Sequence, residues 1–402
     1  MKILLINDYG TPTGGAELQM LSLREGLASR GHDVRLFSSD VISVVGEPLL
    51  ADYTCFGTNS RLQAVSQTFN ISAYRKLRQI MQEFRPDVVH VRMFMWQMSP
   101  LILPLLKKVP CLYQTAVYKA ICPLGTKTLP DGSPCQQKMG TACLKQGCLT
   151  PQSWITYMTQ AKLWQQWRQA FDLVVALSYR MKAKLEAEGI KPVKVVYNGV
   201  PERPSRPDLS DPPTVAYAGR LVKEKGIDVL LKAFAQIQNT IPQIRLLIAG
   251  QGPEHNNLRS LASKLGIDHN LIWLGHISRS QLEDKFNSAW VQVIPSLWEE
   301  PFGNVTTEAM IRGTAVIASA VGAQPEIVED RKTGFLVPPN DVDALAKALL
   351  NLLLNQSLAE EMGQLGRLRA QTYFSEDCRT ETFIEIYQNL YSAYHGIENF
   401  IS

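Results

Sequence analysis

Short apolar runs alternate with longer stretches of mixed polarity along most of the chain. Lys2–Asn7, Val215–Ala218 and Arg245–Ala249 are typical of the runs, which are too short for buried helices. Between them, stretches such as Ile227–Ile237 repeat apolar side chains at the three- and four-residue spacing of a helix. Short buried strands that alternate with amphipathic helices predict an α/β fold, a parallel sheet covered on both faces.

The alternation is interrupted once, at residues 201–213, which are rich in proline, serine and charge and predict a linker. The chain has 402 residues, more than one domain usually holds. We therefore expect two Rossmann-like, doubly wound domains, 1–198 and 199–378, that face each other across a cleft. Ligands of such sheets bind at the carboxyl ends of the strands, so the cleft is the expected site. We expect the last helix, 379–402, to pack back on the first domain.

The lengths of the apolar runs also indicate the cellular compartment of the protein. No apolar run approaches the ~18–20 residues that span a bilayer. The run Ile3–Ile6 near the N-terminus is too short for the core of a signal peptide and predicts a buried strand. We expect a cytoplasmic protein.

The net charge of +4 is unevenly distributed. Residues 1–200 contain 23 Lys and Arg against 13 Asp and Glu, so the first half is basic and the second acidic. A basic half suggests an anionic partner, either a phospholipid surface or a phosphorylated acceptor, while uneven surface charge without function is the alternative. The chain has no basic-aromatic motif of the kind that binds nucleic acid.

One predicted helix carries an unusual number of aromatic and long apolar side chains beside two cations. It could lie on a membrane interface, with weak and salt-sensitive binding to the anionic cytoplasmic face, or it could face the core. The basic helix at Ile71–Phe84 supports the first interpretation. The residues in question are Trp154, Tyr157, Met158, Leu163, Trp164 and Trp167, with Lys162 and Arg168.

Two glutamates, Glu300 and Glu308, lie eight positions apart around a predicted helix start. The helix extends over Asn304–Arg312 and ends at Gly313. Because a helix rises ~1.5 Å per residue, the carboxylates are on the order of 10 Å apart along its axis. Unpaired amides at the helix start lie between them and attract anions. This order suits a sugar, a diphosphate and a ribose in a row.

Two further segments place glycine or cations between a strand and a helix. Gly14 and Gly15 would let the backbone approach a phosphate closely, or they would serve a tight turn. Gly219 ends a strand and is followed by Arg220 and Lys225, which could neutralise a diphosphate leaving group or could be solvated loop cations.

Taken together, these motifs resemble the retaining nucleotide-sugar glycosyltransferases of family 4, which have the GT-B fold. The resemblance covers nearly the whole chain, and the ordered set is much more specific than any one motif. Its further matches are Arg30-Gly31-His32-Asp33-Val34, Pro295-Ser296, Asn198-Gly199-Val200, Val321-Gly322-Ala323 with Pro325-Glu326, and Thr333-Gly334-Phe335-Leu336-Val337.

The resemblance implies a role for each residue of the donor site. Glu300 would hydrogen-bond the hydroxyls of the donor sugar, and Glu308 would bind the ribose diol. The loop between them would hold sugar and phosphate through its amides. Its residues are Phe302, Gly303, Asn304 and Val305.

The resemblance also implies how the leaving group is stabilised. Arg220 and Lys225, beside Gly219, would stabilise the departing diphosphate, so no divalent metal is expected in catalysis. Gly14 and Gly15 would press the first domain against phosphates and acceptor. The implied reaction is front-face transfer with retention, which depends on electrostatic stabilisation, positioning and closure of the domains.

One pair of adjacent positions departs from the family pattern. The family usually carries a His-Asp pair after the strand that precedes a Cys-Pro. Alignment on Cys122-Pro123 places Ala116 and Val117 at those two positions. The missing imidazole, which would position the donor sugar, supports an alternative function, a catalytically weakened partner that binds sugar nucleotides. A nucleotide-sugar epimerase of the same shape is a third reading, but such enzymes lack this Arg–Lys and Glu-x7-Glu set.

Four of the seven cysteines cluster in a segment with little apolar content. Cys122, Cys135, Cys143 and Cys148 have the spacing Cys-x12-Cys-x7-Cys-x4-Cys. They could hold a structural zinc ion as a tetrahedral thiolate site, or they could be free thiols. A reducing cytoplasm argues against disulfides.

These patterns lead to one expected function. The protein would move a hexose from a nucleotide-diphosphate sugar to a lipid-linked or saccharide acceptor in envelope or exopolysaccharide biosynthesis.

Overall fold

The computed structural model describes residues 1–12, 14–42, 46–60 and 62–401, with side chains to residue 396. Thr13, residues 43–45, Arg61 and Ser402 lie outside the described residues. The chain forms two compact units. The first comprises residues 1–130, 135–199 and 376–402, and the second comprises 131–134 and 200–375.

The first unit contains a seven-stranded, all-parallel sheet in the order β3-β2-β1-β4-β5-β6-β7. This order reverses direction at β1, as in doubly wound sheets. The strands are β1 (Lys2–Ile6), β2 (Asp33–Ser39), β3 (Tyr53–Cys55), β4 (Val88–Val91), β5 (Cys111–Gln114), β6 (Leu173–Ala176) and β7 (Val193–Val195).

Helices cover both faces of this sheet. They are α1 (Gly15–Ala28), α2 (Gln63–Ser66), α3 (Ile71–Glu83), α4 (Thr141–Lys145), α5 (Pro151–Trp167) and α6 (Tyr179–Ala187). Short 3-10 turns occupy Pro100–Lys108, Tyr118–Ala120 and Arg168–Ala170.

The second unit contains a six-stranded, all-parallel sheet in the order β10-β9-β8-β11-β12-β13. Its strands are β8 (Thr214–Ala218), β9 (Arg245–Ala249), β10 (Leu271–Gly275), β11 (Val291–Ile294), β12 (Ala315–Ser319) and β13 (Gly334–Val337).

The helices of the second unit follow its strands in alternation. They are α7 (Ile227–Ile237), α8 (His255–Leu265), α9 (Arg279–Phe286), α10 (Asn304–Arg312), α11 (Gln324–Ile327), α12 (Val342–Leu353) and α13 (Gln356–Tyr373). The 3-10 turns are Lys223–Lys225 and Asp268–Asn270. The apolar face of α7 is fully buried against the sheet, as its periodicity predicts.

The last helix, α14 (Glu376–Ile401), belongs to the first unit. Phe383, Ile386 and Tyr387 join the core of that unit. The buried guanidinium of Arg379 donates to the carbonyl oxygen of Gln19 on α1 at 3.2 Å. The helix therefore closes one face of the first sheet.

Among the described residues, no helix has both the length and the apolar content that crossing a membrane requires.

Candidate functional site

The loop that follows β11 holds Glu300 in contact with Lys225. The ammonium of Lys225 lies 2.8 Å from Oε1 of Glu300, and the side chains are only 17% and 12% exposed. The hydroxyl of Ser296 donates to the same carboxylate oxygen. Sequence reasoning placed both charged residues in the site, and the structure brings them together.

The backbone of Glu300 is buttressed by the turn at residues 321–323. Gly322 has a φ of 62°, and a Cβ there would lie 2.5 Å from the amide nitrogen of Glu300. The amide of Ala323 donates to the carbonyl of Glu300 at 3.2 Å. Only glycine allows this approach, so the Val321-Gly322-Ala323 motif positions the glutamate.

The segment from Phe302 to Val305 forms the junction between this loop and α10. In the described part of the chain, no side chain caps the helix at Gly303. The first amides of α10 therefore carry the positive end of the helix dipole toward the loop. Phe302 is buried against Phe374, with ring centroids 5.9 Å apart, and anchors the junction.

Glu308 lies in the second turn of α10 and forms an ion pair with Arg279, the first residue of α9. Nη2 of Arg279 is 3.1 Å from Oε1 of Glu308, and the side chains are 40% and 29% exposed. Burial raises the pKa of Glu308 above its usual value, and the charge of Arg279 opposes that rise.

A buried network behind Glu308 fixes the orientation of α10. Arg312, which is fully buried, donates to Glu283 at 2.9 Å and to Gln292 at 3.1 Å. Gln292 in turn donates to the carbonyl of Val305 at 3.1 Å, and Arg203 pairs with Glu283. Sequence reasoning missed these residues and Arg279, because their partners lie on other elements.

Arg220 lies at the end of β8 but does not contact Glu300 or Lys225 among the described residues. Its side chain is 67% exposed and pairs with Glu224 at 3.6 Å. Arg220 and Gly219 line a cavity of about 290 Å³ at the carboxyl ends of β8, β9 and β10. The opposite wall comprises Gly250, Gln251, His276, Ile277 and Leu282.

In the first unit, Gly14 and Gly15 stand at the start of α1, as the sequence predicts. The carboxylate of Glu17 folds back over them, since a Cβ at Gly14 would lie 2.2 Å from its Oε2. Burial raises the pKa of Glu17, while its own backbone amide and the charge of Arg92 oppose this rise. A carboxylate of the chain itself therefore lies at this helix start.

Ala116 and Val117 follow β5 and line a cavity of about 10 Å³ with Arg92 and Lys119. Lys119 is 5% exposed and donates to the carbonyl of Pro123 at 2.6 Å. Its ammonium lies 3.9 Å and 4.5 Å from the ring centres of Trp96 and Tyr157. Burial lowers the pKa of Lys119 to about 7.

Other buried charges near this cavity also escaped sequence reasoning. Asp8 follows β1 and accepts hydrogen bonds from the backbone amides of Trp96, Gln97 and Met98 at 2.8–2.9 Å. Burial lowers the pKa of Arg92 to about 9. Asp8 and Arg92 each follow directly after a predicted strand. Their position at a strand end is the sequence feature from which they could have been proposed as site residues.

Three of the four aromatic side chains of α5 contact other parts of the protein. Trp164 is buried and donates to the carbonyl of Ala120 at 3.1 Å. Trp154 donates to the carbonyl of Gly140 at 2.9 Å, and the ring of Tyr157 makes a cation–π contact with the ammonium of Lys119. The core-facing interpretation therefore describes these three side chains.

The four clustered cysteines are unbridged thiols. Cys122 is buried, while Cys135, Cys143 and Cys148 are partly exposed. Burial, followed by the three neighbouring thiols, raises the pKa of Cys148. The described residues include no group of three or more His, Cys, Asp or Glu side chains placed to hold a metal ion. The zinc site stays a prediction.

Two units, each with an all-parallel, doubly wound sheet, are the architecture of the GT-B class of glycosyltransferase folds, and this chain has that fold. Residues 13–203 match the family model Glycosyltransferase Family 4, and residues 200–369 match Glycosyl transferases group 1. The chain belongs to the family 4 glycosyltransferases.

One curated relative and one solved structure illustrate what the chain is similar to. Phosphatidyl-myo-inositol mannosyltransferase of Mycobacterium leprae is 28% identical over 93% of each chain. Sucrose-phosphate synthase from Thermosynechococcus elongatus superimposes with a TM-score of 0.73 at 23% identity, over 98% of this chain and 100% of its own.

Anabaena HepE in complex with UDP and glucose superimposes with a TM-score of 0.68 at 18% identity, over 97% of this chain and 100% of its own. These two structures share the fold. The chain spans only about half the length, or less, of the first curated relatives that it matches.

Proposed function

We propose that the protein transfers a hexose from a nucleotide-diphosphate sugar to a lipid-linked or saccharide acceptor, with retention of configuration, in envelope or exopolysaccharide biosynthesis. The observation that carries this proposal is the ion pair of Lys225 with Glu300 in the loop that leads to the start of α10, with Glu308 about one turn into that helix. HepE, which shares the fold, binds UDP and glucose, and this supports a nucleotide-sugar donor.

Glu300 is arranged to bind sugar hydroxyls. Its Oε1 accepts hydrogen bonds from both Lys225 and Ser296, whereas Oε2 accepts none from the described residues. An ionised carboxylate has about four acceptor positions, so Oε2 is available to a sugar diol. The low exposure of the carboxylate strengthens such charge-assisted hydrogen bonds.

Lys225 is arranged to stabilise the leaving diphosphate. An ammonium has three donors, and Glu300 occupies one of them among the described residues. The other two, together with the amides at the start of α10, would receive the negative charge that develops as the glycosidic bond breaks. Arg220 is exposed on a flexible stem and would exchange Glu224 for a phosphate. No step of this scheme uses a divalent metal.

The nucleoside would occupy the cavity at the ends of β8, β9 and β10. Its volume of about 290 Å³ approaches that of small-molecule pockets. A ribose placed between this cavity and α10 would present its diol to Glu308.

A lipid-linked acceptor would bring the protein to the cytoplasmic face of a membrane. The M. leprae relative is named for a phosphatidyl-myo-inositol acceptor. In the first unit, Leu62, Val65, Phe69 and Ile71 carry exposed apolar side chains, and Arg75 and Arg78 are exposed on α3, the helix that Ile71 begins. Apolar side chains beside cations suit an anionic bilayer. This surface replaces α5 as the proposed membrane contact.

A release assay tests the proposal. UDP-, GDP- and ADP-sugars are first screened by thermal shift, since a ligand that binds the native state raises its melting temperature. Release of nucleoside diphosphate is then measured with and without lipid and saccharide acceptors. Acceptor-dependent release is expected from the wild type but not from Glu300→Gln.

A second candidate function rests on Ala116. If the wild type binds a nucleotide sugar but releases no nucleoside diphosphate with any acceptor class, the protein is a sugar-nucleotide-binding partner and not a transferase. If no nucleotide sugar binds, the donor site as a whole is wrongly assigned.

A further inference from the structure

Arg279 occupies a defined position at the first turn of α9. A capping box fixes this helix start, because the amide of Gln281 donates to the Ser278 hydroxyl at 3.3 Å and the amide of Ser278 donates to Oε1 of Gln281 at 3.0 Å. The guanidinium then reaches α10, where Nη2 lies 3.1 Å from Oε1 of Glu308. The pair joins two helices that are 29 residues apart in sequence.

The same helix also borders the proposed nucleoside cavity. His276 and Ile277, which precede α9, and Leu282 within it line that cavity. Residues three apart on a helix share a face, so Arg279 and Leu282 lie on the same side of α9. Arg279 therefore connects the cavity wall with the carboxylate assigned to the ribose.

We propose that Arg279 is a positioning residue of the nucleoside site, which holds the Glu308 carboxylate charged and oriented for the ribose diol. This inference rests on the proposed function, since it assumes that Glu308 binds the ribose. Arg279 acts through Glu308 and need not touch the reacting atoms.

The charges around Glu308 explain why Arg279 has this role. Burial raises the pKa of Glu308; Arg279, Arg203 and Arg312 lower it, and Glu283 raises it. Arg203 and Arg312 are both paired with Glu283, whose single negative charge offsets one of their two positive charges. Among the described residues, Arg279 is the one cation in direct contact with Glu308.

An ionised carboxylate can accept a hydrogen bond from a diol on either oxygen, whereas protonation turns one of the two oxygens into a donor. Arg279 engages Oε1, and no described residue donates to Oε2. Loss of the cation would therefore let Glu308 take up a proton at higher pH, and the protonated form would lose an acceptor for ribose.

The ion pair has little bearing on folding. Partly exposed ion pairs contribute little to stability, so Arg279→Gln is expected to fold as the wild type does. A merely structural role would leave the pH profile of ligand binding unchanged. The pH profile is therefore the decisive measurement.

The experiment measures the Kd of UDP, GDP and ADP by calorimetry between pH 5 and pH 8 on the full chain, and continues with the tightest ligand. The variants are Arg279→Gln, Arg279→Lys and Glu308→Gln. Arg331→Gln is the matched control, because Arg331 is an exposed arginine paired with Asp330. The ratio of variant Kd to wild-type Kd at each pH removes the titration of the ligand itself.

Nucleotide affinity should fall as the pH is lowered and Glu308 takes up a proton. In Arg279→Gln we expect this fall to occur about one pH unit higher than in the wild type, because a neighbouring cation lowers the pKa of a carboxylate by at least about that much. Arg279→Lys should retain most of the wild-type profile. Glu308→Gln should bind weakly with little pH dependence, and Arg331→Gln should match the wild type.

Two results would overturn different claims. If Glu308→Gln weakens binding but Arg279→Gln has the wild-type profile, the role of Arg279 is wrong and the proposed function stands. If Glu308→Gln binds as tightly as the wild type, the ribose assignment is wrong, and the role of Arg279 falls with it.

Discussion

The ammonium of Lys225 lies 2.8 Å from the carboxylate of Glu300, although the two residues are 75 positions apart. Their strands explain the contact, since β8 and β11 are hydrogen-bonded neighbours in register at Val215 and Val291. Parallel neighbours end at the same edge of a sheet, and each residue stands in the loop after its strand. The sheet order therefore assembles the pair that would bind sugar and diphosphate.

Removing either member of this pair should impair turnover more than binding. Lys225→Met is expected to lower kcat by roughly a hundredfold, the effect of deleting one donor that stabilises developing charge. Glu300→Gln is expected to lower kcat by a similar factor, because it removes the charge that holds Lys225 and weakens the positioning of the sugar. The double variant should be less impaired than the product of the two effects, because the residues interact directly. Nucleoside diphosphate release measures kcat, and calorimetry measures nucleotide Kd.

Lys232→Met is the control for this pair. Lys232 forms a surface ion pair with Asp228 at 2.9 Å in the same unit, so its loss should leave kcat unchanged. Wild-type kcat in both Lys225→Met and Glu300→Gln would rule out the assigned site.

The exposed apolar residues of the first unit should mediate membrane binding. Leu62→Asp with Val65→Asp is expected to abolish pelleting with anionic phosphatidylglycerol vesicles at low salt, since it places charge where apolar contact is needed. Arg75→Gln with Arg78→Gln should weaken pelleting and reduce its salt dependence.

Leu354→Asp provides the comparison, because Leu354 is equally exposed but lies in the second unit. Its pelleting should equal that of the wild type. Failure of the wild-type protein to pellet at low salt would eliminate the proposed membrane contact.

The buried ammonium of Lys119 should make stability depend on pH. Its pKa is lowered from 10.5 to about 7 in the folded protein. Between these values the unfolded chain keeps a proton that the folded chain has released. The free energy of unfolding should therefore rise with pH from about 7 to about 10, by up to about 1.4 kcal/mol per unit from this group.

Chemical denaturation at several pH values measures this slope. Lys119→Met should reduce it, whereas Lys162→Met, which alters an exposed lysine on α5, should not. The same slope in Lys119→Met and wild type would show that Lys119 does not titrate in this range.

The cysteine cluster gives a direct test of metal content. The sequence predicts about one zinc ion per chain if the four thiols form a tetrahedral site. Elemental analysis of protein purified without added metal or chelator measures it, and Cys135→Ser with Cys148→Ser should abolish it. Cys378→Ser is the control, because Cys378 lies on α14, away from the cluster. Metal-free wild-type protein whose clustered thiols react readily would favour the alternative of free thiols.

Local patterns predicted the regular elements well where apolar periodicity was strong. Ile227–Ile237 is a helix with the predicted bounds, and Arg245–Ala249 is a strand with the predicted bounds. The strand Tyr53–Cys55 was missed, because three residues at the edge of a sheet carry too few apolar positions to stand out. This strand is recognisable only from its parallel hydrogen bonding to β2, which its own three residues do not predict.

Patterns of charge were less informative than patterns of apolar residues. Arg220 and Lys225 looked equivalent in sequence, yet Lys225 is buried against Glu300 and Arg220 is exposed beside Glu224. The aromatic residues of α5 suggested a membrane surface, yet Trp164 lies in the core. Whether a side chain faces inward depends on what packs against its element.

The sequence by itself determined the α/β class, the family and the position of Glu300 and Glu308 around one helix start, because these follow from short-range periodicity and from motifs within single segments. Only the tertiary structure decided which charge meets which: Lys225 with Glu300, Arg279 with Glu308, and Lys119 between Trp96 and Tyr157. The physical reason is that these ion pairs and cation–ring contacts require their groups to lie within a few ångströms of each other. The partners are far apart in sequence and come that close only when the strands are ordered in a sheet.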